Sequence, residues 1–273
     1  MSLYYEIFLT DDGCTDGTAE AIKSIYPGCE QLHILIGDGN LYWAGGMRFC
    51  WKEAMKETNG WDAYLLLNDD VELLPSVFEE LFYAEKYSLI HFGSEGIASG
   101  ITCDPINTDE LTYGGSIWKN KLLATFRMLP PSNNPQKCIL TNANILLVPS
   151  FVVDKIGIFY EGYQHGIADY DYGIMANKAG IPVVLTTNFC GKCAHDHIDI
   201  EEEAIKVINM SLKERKVYFS NPIRSNRDYL RFIYRTSPIR LPIVYCGRLL
   251  NVYFPTLYYW LSGYRKQHSR NID

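Results

Sequence analysis

Residues 4–18, YYEIFLTDDGCTDGT, decide the fold class of this chain. Tyr4 to Thr10 is an aromatic and apolar run, which is typical of a buried strand, and it ends at a polar loop that contains two glycines. A helix is predicted to begin near Thr18 and to end before Pro27. The stretch therefore predicts a β-strand, a loop and a helix in that order.

The same order of elements occurs twice more. His33 to Ile36 is a second short strand, and a helix follows it over residues 43–58. Tyr64 to Leu67 is a third strand that ends at Asn68-Asp69-Asp70, and a helix begins after Pro75. This alternation predicts an α/β fold with a mixed, mainly parallel sheet flanked by helices. Ligands of such sheets bind beyond the carboxyl ends of the strands, so the polar residues there are expected to face one crevice.

The second half of the sequence contains shorter segments. Turn signals divide residues 97–118. A strand is predicted over Cys138 to Val148, and a short helix over residues 149–156. A longer helix is predicted from Tyr170 to Ala179, and a strand from Val183 to Thr187.

Composition and charge limit the possible classes of protein. With 273 residues, 47% of them hydrophobic and 14% aromatic, the chain can fill a real core, which excludes disordered and collagen-like proteins. The formal charge of -7 argues against a nucleic-acid binder. From Lys213 to Asp273, however, Lys and Arg outnumber Asp and Glu by twelve to three. The sequence therefore predicts an α/β domain over residues 1–210 and a basic helical segment over residues 211–273.

The start of the chain and its cysteines suggest a compartment. Met1-Ser-Leu-Tyr-Tyr-Glu lacks the basic start of a signal peptide. The eight cysteines are scattered through a chain that is large enough to be stable without disulfides, so they are expected to be reduced. No stretch reaches 18 uncharged apolar residues. We expect a cytoplasmic protein without a spanning helix, whereas an interfacial helix is left open.

Asn68-Asp69-Asp70 offers a carboxamide and two carboxylates at a strand end. Hard oxygen ligands of this kind suit Mg²⁺ or Mn²⁺, which often share them with phosphates. One hypothesis is a metal and diphosphate site. The alternative is a solvated turn or helix cap, because acidic residues are common after strands.

Ala168-Asp169-Tyr170-Asp171 is a second acidic cluster, and it opens a predicted helix. One carboxylate at this place could be only a helix cap. Two carboxylates spaced by one residue and framed by aromatic residues also suit a general base at the floor of a cleft, where partial burial raises the pKa of a carboxylate. Both interpretations stay open on these residues alone.

Four motifs together resemble those of the family 2 glycosyltransferases, in the family's order over about residues 4 to 200. Residues 11–18, DDGCTDGT, are similar to the family's DDGSTDGT loop, with cysteine for serine. Residues 39–48, GNLYWAGGMR, resemble its Gly- and Arg-bearing helix start, and residues 67–70, LNDD, its Asp-x-Asp motif. Residues 166–180, GIADYDYGIMANKAG, resemble its Glu-Asp-x-Asp helix. The resemblance implies a Rossmann-like GT-A fold and an inverting enzyme, rhamnosyltransferase-like or related.

The resemblance implies roles for individual residues in a nucleotide-sugar site. Asp11 would contact the nucleobase or ribose, and Arg48 would help to hold the donor nucleotide. Asn68 stands where the family usually has Asp, and together with Asp69 it would lie against the donor. Asp70 would be the ligand of Mg²⁺ or Mn²⁺.

Asp169 matches the catalytic base of the family. It would take the proton of the acceptor hydroxyl while that oxygen attacks the anomeric carbon and the nucleoside diphosphate leaves. Ala168 replaces a frequent Glu of the family. The implied reaction is hexosyl or deoxyhexosyl transfer to a saccharide or lipid-linked acceptor in the synthesis of a surface polysaccharide.

Cys190-x-x-Cys193-x-His195-x-His197 contains ligand types that zinc prefers. A zinc site is a minor alternative here, because a four-ligand site normally draws on two separated elements. The family resemblance instead implies that a late histidine, His197 or His195, could complete the donor-metal site.

Residues 228–264 are rich in tyrosine, phenylalanine, tryptophan and arginine. Such a segment could lie at an anionic membrane surface, peripheral to its inner face, or could pack its aromatic rings on the catalytic domain.

Only ten residues precede Asp11, where the family usually has a further strand and helix. We therefore expect Tyr4 to Thr10 to pair differently from the family strand or to lie at an edge. The sequence leaves open a second class of function, a non-catalytic glycosyltransferase-like protein for binding or scaffolding with an incomplete nucleotide site.

Overall fold

A computed structural model describes residues 3–120, 125–195 and 200–262. The chain divides into two compact units, Met1–His195 and Asp196–Asp273. The proposed domain boundary at residues 210 and 211 stays a prediction. The elements of the first unit are β1 Ile7–Asp11, α1 Thr18–Ile25, β2 Leu32–Ile36, α2 Tyr42–Ala54, β3 Ala63–Leu67, β4 Glu72–Leu73, α3 Val77–Phe92, β5 Ile97–Cys103, β6 Leu111–Tyr113, β7 Ser116–Asn120, β8 Thr125–Met128, β9 Gln136–Cys138, β10 Ile145–Pro149, α4 Ser150–Ile156, α5 Ala168–Lys178 and β11 Val183–Lys192.

The predicted α/β class with a mixed sheet flanked by helices is confirmed. The larger sheet has seven strands, with the order β3-β10-β5-β11-β4, and β6 and β9 pair with β5 and β11. Helix α3 packs against β5 and β11, and α5 also contacts β11. Between α3 and β10 the core contains Leu81, Ala84, Ala98 and Ile145, all with no exposed surface.

The balance of strand directions differs from the predicted one. In the seven-stranded sheet β5 and β11 are parallel, whereas each of the other described pairs is antiparallel. Parallel neighbours need a long crossover, usually a helix, and the described residues between α3 and α4 form short strands and turns instead. Local connections of this kind produce antiparallel pairs.

The predicted strand from Cys138 to Val148 is divided in the structure. Its ends are β9, which pairs with β11, and β10, which lies between β3 and β5. Residues 139–144 form a connecting segment between them. Apolar residues on both sides of this segment produced a continuous strand signal, but Asn142 and Asn144 interrupt it with polar side chains.

Strand β1 pairs in parallel with β2 in a separate two-stranded sheet, in the register Ile7↔Leu32 to Asp11↔Ile36. In the described part of the chain its other edge carries no strand, in agreement with the expected edge position. The loop after β1 is tied to the loop after β2, because Gly37 donates its N–H to the Asp11 carbonyl at 2.7 Å. A Cβ at Gly37 would lie 2.5 Å from Oδ1 of Asp12, so only glycine allows this approach.

Asp12 holds the start of α2 in place. Its Oδ1 accepts a hydrogen bond from the Gly39 N–H at 2.8 Å, and its Oδ2 accepts from the N–H groups of Leu41 at 2.8 Å and Tyr42 at 3.1 Å. The first N–H groups of a helix lack partners within the helix, so a carboxylate at this place stabilises it. The polar loop after β1 therefore also positions the helix that carries Arg48.

The middle of β11 is held by helix α3. Oε2 of Glu80 accepts hydrogen bonds from the N–H of Thr187 at 2.9 Å, its hydroxyl at 2.6 Å and the N–H of Asn188 at 3.2 Å. These contacts lie where the register of β11 shifts between Leu185 and Phe189. Strand β11 continues past them to Lys192, beyond the predicted end at Thr187.

The second unit consists of helices. They are α6 Ile200–Asn209, α7 Leu212–Ser220, α8 Asn226–Thr236, α9 Leu241–Tyr253 and α10 Pro255–Leu261, with short 3-10 helices at Pro222–Arg224 and Pro238–Arg240. Ala204, Val207, Phe219 and Tyr259 form its buried core. Helix α7 begins with a capping box, in which Ser211 and Glu214 each accept a backbone N–H of the other.

Two findings concern the length of the helices and the state of the cysteines in the described residues. Across residues 3–120, 125–195 and 200–262, every helix is too short or too polar to cross a bilayer. All eight cysteines have free thiols, as expected.

Candidate functional site

The acidic residues after β3 lie beside the start of β10. The two strands are antiparallel, with Leu67 opposite Ile145. The residue after β3 continues the contact, since the Asn68 N–H donates to the Asn144 carbonyl at 3.2 Å. The connecting segment before β10 is thus placed against the Asn68-Asp69-Asp70 turn.

The same segment holds Asp169, which lies in the first turn of α5. Its Oδ2 accepts a hydrogen bond from the Ala143 N–H at 3.1 Å, and its Oδ1 accepts from the Tyr170 N–H at 2.8 Å. Ala143 and Asn144 are neighbours in the chain. The two acidic clusters of the sequence are therefore brought together through adjacent residues of one segment.

Asp169 is a buried carboxylate with only 7% of its surface exposed. Burial is the largest influence on it and raises its pKa to about 6, although the backbone N–H groups of Ala143 and Tyr170 act in the opposite direction. A pKa in this range suits a group that accepts a proton near neutral pH. Asp171, two residues later, is also buried, with 2% of its surface exposed.

The chain enters α5 through an unusual backbone conformation. Ile167 has a φ of 73°, in the left-handed region that a β-branched residue rarely adopts. Strain of about 1–3 kcal/mol at such a residue persists only where the surrounding structure holds it, and it is common at active sites. Ile167 directly precedes the turn that carries Asp169.

Asp11 lies at the end of β1 and is largely buried. Its Oδ1 accepts the Cys14 N–H at 2.8 Å, and this hydrogen bond is the main reason that the pKa of Asp11 is lowered. The pKa of the Cys14 thiol is raised, first by its hydrogen bond with Asp11 and also by the charges of Asp16 and Asp69. The loop after β1 thus lies within electrostatic reach of the turn after β3.

Asn68, at the first position of the predicted metal motif, bonds to a tryptophan. Its Oδ1 accepts the indole N–H of Trp43 at 2.8 Å. The Trp43 ring also contacts Phe159, with 5.7 Å between ring centroids. The side-chain oxygen of Asn68 is thus engaged within the protein, which fits its departure from the aspartate that the family usually has there.

Arg48 lies on α2, as predicted, and it reaches the segment between α4 and α5. Its Nη1 donates to the Tyr160 carbonyl at 3.2 Å. Lys52, one helical turn later, forms an ion pair with Glu161 at 2.6 Å. Helix α2 is therefore tied to the segment that leads to Asp169.

Asp69 and Asp70 both have exposed side chains. In the described ranges, no three His, Cys, Asp or Glu side chains converge in a way that could hold a metal ion by themselves. Mg²⁺-like ions usually keep one or two protein carboxylates and complete their shell with substrate phosphates and water. Two accessible carboxylates on a turn fit that kind of site.

Of the two late histidines, only His195 lies within the described residues. His195 stacks on Tyr113, with 5.8 Å between ring centroids. His197 lies outside the described residues. The Cys190 thiol donates to the hydroxyl of Thr186 at 3.4 Å, so it has a partner different from those of Cys193.

Sequence reasoning missed three parts of the site. They are the Ala143 N–H that holds Asp169, the Trp43 indole that holds Asn68, and the Cys193 thiol, which contacts Asp70 at 3.6 Å. The first is a backbone group and leaves no signal in a sequence. Trp43 lies in the Gly- and Arg-bearing motif, but nothing in the sequence links its indole to Asn68.

The first 86 residues contain three of the four motifs. Residues 2–86 match the model described as glycosyl transferase family 2. The match covers about a third of the chain. The predicted resemblance is thereby confirmed for the segment that carries Asp11, Arg48 and Asn68-Asp69-Asp70, whereas Asp169 lies outside the matched residues.

Two further comparisons concern curated proteins and solved structures. No curated protein matches the chain significantly. Among solved structures, the chain is similar to the mannosyltransferase PcManGT from Pyrobaculum calidifontis in complex with GDP-Man and Mn²⁺, at 10% identity and a TM-score of 0.47. The alignment covers 98% of this chain and 66% of that one.

Proposed function

We propose that the protein is an inverting, metal-dependent glycosyltransferase. It transfers a hexosyl or deoxyhexosyl group from a nucleotide diphosphate sugar to the hydroxyl of a saccharide or lipid-linked acceptor, in the synthesis of a surface polysaccharide. The family match of residues 2–86 supports glycosyl transfer as the reaction type.

One observation carries the proposal. Asp169 and Asn68 are bonded to the adjacent residues Ala143 and Asn144, so a buried carboxylate lies close to the turn that carries Asp69 and Asp70. A glycosyltransferase needs this juxtaposition, because the acceptor hydroxyl must lose its proton while the diphosphate leaves.

Asp169 acts as the general base in this proposal. The acceptor oxygen forms a bond to the anomeric carbon, and the bond between that carbon and the diphosphate oxygen breaks. The proton of the acceptor hydroxyl moves to the Asp169 carboxylate, and attack from the side opposite the leaving group inverts the anomeric centre. A well-placed base contributes about 10² to 10⁴ in rate.

The donor lies along the ends of β1 and β3. Asp11 contacts the nucleobase or ribose, Arg48 helps to hold the nucleotide, and Asn68 and Asp69 border the donor. Asp70 would hold Mg²⁺ or Mn²⁺, which when bound neutralises negative charge on the departing diphosphate. His195 or His197 is proposed as a further ligand.

Peripheral association with an anionic membrane, at its inner face, is the second part of the proposal. Helix α8 carries Arg227, Arg231 and Arg235 at four-residue spacing, which places them on one face. They accompany apolar and aromatic side chains that are exposed on α8, on the start of α9 and between them: Tyr234, Ile239, Ile243 and Tyr245. We call these residues the α8–α9 surface. Basic groups attract anionic lipid, and apolar and aromatic side chains enter the interface.

A groove of about 610 Å³ lies within this surface, between α8 and the start of α9. Its lining combines Arg227 and Arg231 with Leu230, Tyr234 and Tyr245. Cationic groups beside an apolar floor suit an amphiphile with an anionic head, which is the chemistry of both a membrane lipid and a lipid-linked acceptor.

A donor screen tests the proposed reaction. The protein is incubated with Mn²⁺ and a panel of nucleotide diphosphate sugars, with and without simple saccharides and polyprenyl-phosphate-linked saccharides. Release of a nucleoside diphosphate that requires both Mn²⁺ and one donor supports the proposal, and NMR of the product identifies the anomeric configuration. A donor that binds but is never consumed would instead favour a non-catalytic binding protein, and a product with retained configuration would contradict inversion.

A further inference from the structure

Cys193 lies directly after β11 and is fixed by the sheet. Its N–H donates to the Cys103 carbonyl at 2.9 Å, and only 1% of its surface is exposed. The backbone therefore presents the thiol from a rigid position.

The thiol connects two parts of the candidate site. Nδ2 of Asn144 donates to Sγ of Cys193 at 3.3 Å, and Sγ has two acceptors at 3.6 Å, Oδ2 of Asp70 and the carbonyl of the next residue, Ala194. Asn144 is itself buried and bonded through its carbonyl to Asn68. The segment that holds Asp169 is thus linked through one sulfur atom to the proposed metal ligand.

The contact with Cys193 bears on the orientation of the Asp70 carboxylate. Its side chain is exposed and lies in a turn, where a carboxylate normally samples several rotamers. Within the described residues, the Cys193 thiol forms the only hydrogen bond to the Asp70 carboxylate. A donor to Oδ2 reduces that freedom and leaves Oδ1 for a cation.

We propose that Cys193 is a positioning residue for Asp70. The thiol orients the carboxylate before the cation binds, and Asn144 orients the thiol. The inference rests on the proposed role of Asp70 as a metal ligand. It assigns a function to a cysteine that the sequence suggested only as core or, as a minor alternative, as a zinc ligand.

Cys190 provides a matched control. It lies on β11, three residues before Cys193, is fully buried, and its thiol bonds to Thr186 rather than to an acidic residue. Replacement of either cysteine by alanine removes the same atom from a buried place. Only the Cys193 variant also removes the hydrogen bond to Asp70.

The first experiment measures Mn²⁺ affinity without substrate. Free Mn²⁺ is determined by its EPR signal during titration of the full chain and its variants, and circular dichroism verifies folding. Cys193→Ala is expected to weaken Mn²⁺ binding by about tenfold, the lower end of the usual effect of removing a partner of a metal ligand. Cys193→Ser, which restores a hydrogen-bond donor, should recover most of the affinity, and Cys190→Ala should match the parent.

The variant Asp70→Asn distinguishes the positioning role of Cys193 from the metal-binding role of Asp70. If Asp70→Asn loses Mn²⁺ binding while Cys193→Ala binds like the parent, the positioning role is wrong and the metal ligand stands. If Asp70→Asn itself binds Mn²⁺ like the parent, the proposed metal site is wrong. Equal losses in Cys193→Ala and Cys190→Ala would show a general packing effect and would also overturn the positioning role.

A second measurement does not depend on the folding of the alanine variant. The S–H stretching band of Cys193 is assigned in the infrared spectrum of the parent by subtraction of the Cys193→Ser spectrum. It should shift when Mn²⁺ is added and when Asp70 is replaced by Asn, because both changes alter the acceptor of the thiol. A band that stays in place under both changes would contradict the inference.

Discussion

The Ala143 N–H donates to Oδ2 of Asp169 at 3.1 Å, and this bond joins the helix that carries the proposed base to the segment beside β3. The next residue, Asn144, bonds to the Asn68 N–H through its carbonyl and to the Cys193 thiol through its side chain. Two consecutive residues therefore determine how far the proposed base lies from the proposed metal ligand. A change of backbone position there alters both.

Asp169→Asn should reduce glycosyl transfer by about 10² or more and leave donor binding nearly unchanged, because the amide has almost the same shape but cannot accept the proton. In the parent, kcat/KM should fall below pH 6, since the base must be ionised and its pKa is about 6. Turnover of the donor found in the screen and its binding by calorimetry are the measurements. Asp154→Asn, at an exposed position of α4, is the control. Full turnover in Asp169→Asn would transfer the role to another residue, with Asp171 as the first to test.

The same substitution should change stability in a pH-dependent way. The folded state raises the pKa of Asp169 from 3.8 to about 6, so the folded protein binds this proton more tightly than the unfolded chain does. The ionised carboxylate therefore opposes folding above pH 6 by about 3 kcal/mol, and this cost is absent below pH 3.8.

Urea unfolding at pH 4 and at pH 7.5 measures this effect. The free energy of unfolding of Asp169→Asn, taken as a difference from the parent, should be more favourable at pH 7.5 than at pH 4. The amide group cannot accept from both the Ala143 and the Tyr170 N–H, and this loss lowers the stability of the variant equally at both pH values. Comparison of the two pH values removes that constant loss. A difference from the parent that is the same at both pH values would mean that the carboxylate has an ordinary pKa in the folded protein.

Asp70→Ala should abolish the Mn²⁺-dependent part of nucleotide affinity and leave the fold intact, because Asp70 has an exposed side chain on a turn rather than in the core. Titration calorimetry of the nucleoside diphosphate from the donor screen, with and without Mn²⁺, measures this. Glu79→Ala removes another exposed carboxylate, on α3, and should behave like the parent. Equal Mn²⁺-dependent affinities of Asp70→Ala and the parent would exclude Asp70 as the ligand.

Replacement of Arg227, Arg231 and Arg235 by glutamine should weaken binding to anionic vesicles roughly 100-fold at low salt, since each basic residue near such a surface contributes about 1 kcal/mol. Added salt should weaken binding by the parent as well, because screening acts over about 8 Å at physiological ionic strength. Vesicles with and without phosphatidylserine, examined by co-sedimentation, provide the measurement. The control replaces three exposed lysines of the first unit, Lys23, Lys86 and Lys155.

Two results would contradict the membrane proposal. One is the absence of vesicle binding by the parent protein, which would favour packing of the aromatic side chains within the protein. The other is an equal loss in the lysine and arginine variants, which would indicate a general effect of charge rather than the α8–α9 surface.

The sequence by itself determined the local elements of the first unit and the residue types of the site. Helix α1 begins at Thr18, and β3 ends before Asn68, as predicted. Apolar periodicity and turn residues act over a few positions, so these boundaries can be predicted from neighbours in the chain. The position of the acidic residues at the ends of β1 and β3 was predicted for the same reason, because turns follow where apolar runs end.

Only the tertiary structure decided how the acidic residues meet. The sequence predicted one strand over Cys138 to Val148, but the structure divides it into β9 and β10. The segment that connects them contains Ala143, whose N–H donates to Asp169. The antiparallel pairing of β10 with β3 then places Asn144 against Asn68. Pairing partners, register and the burial that raises the pKa of Asp169 depend on residues far apart in the chain. Local sequence patterns do not contain that information, since the free energy of such contacts arises only when the whole sheet is assembled.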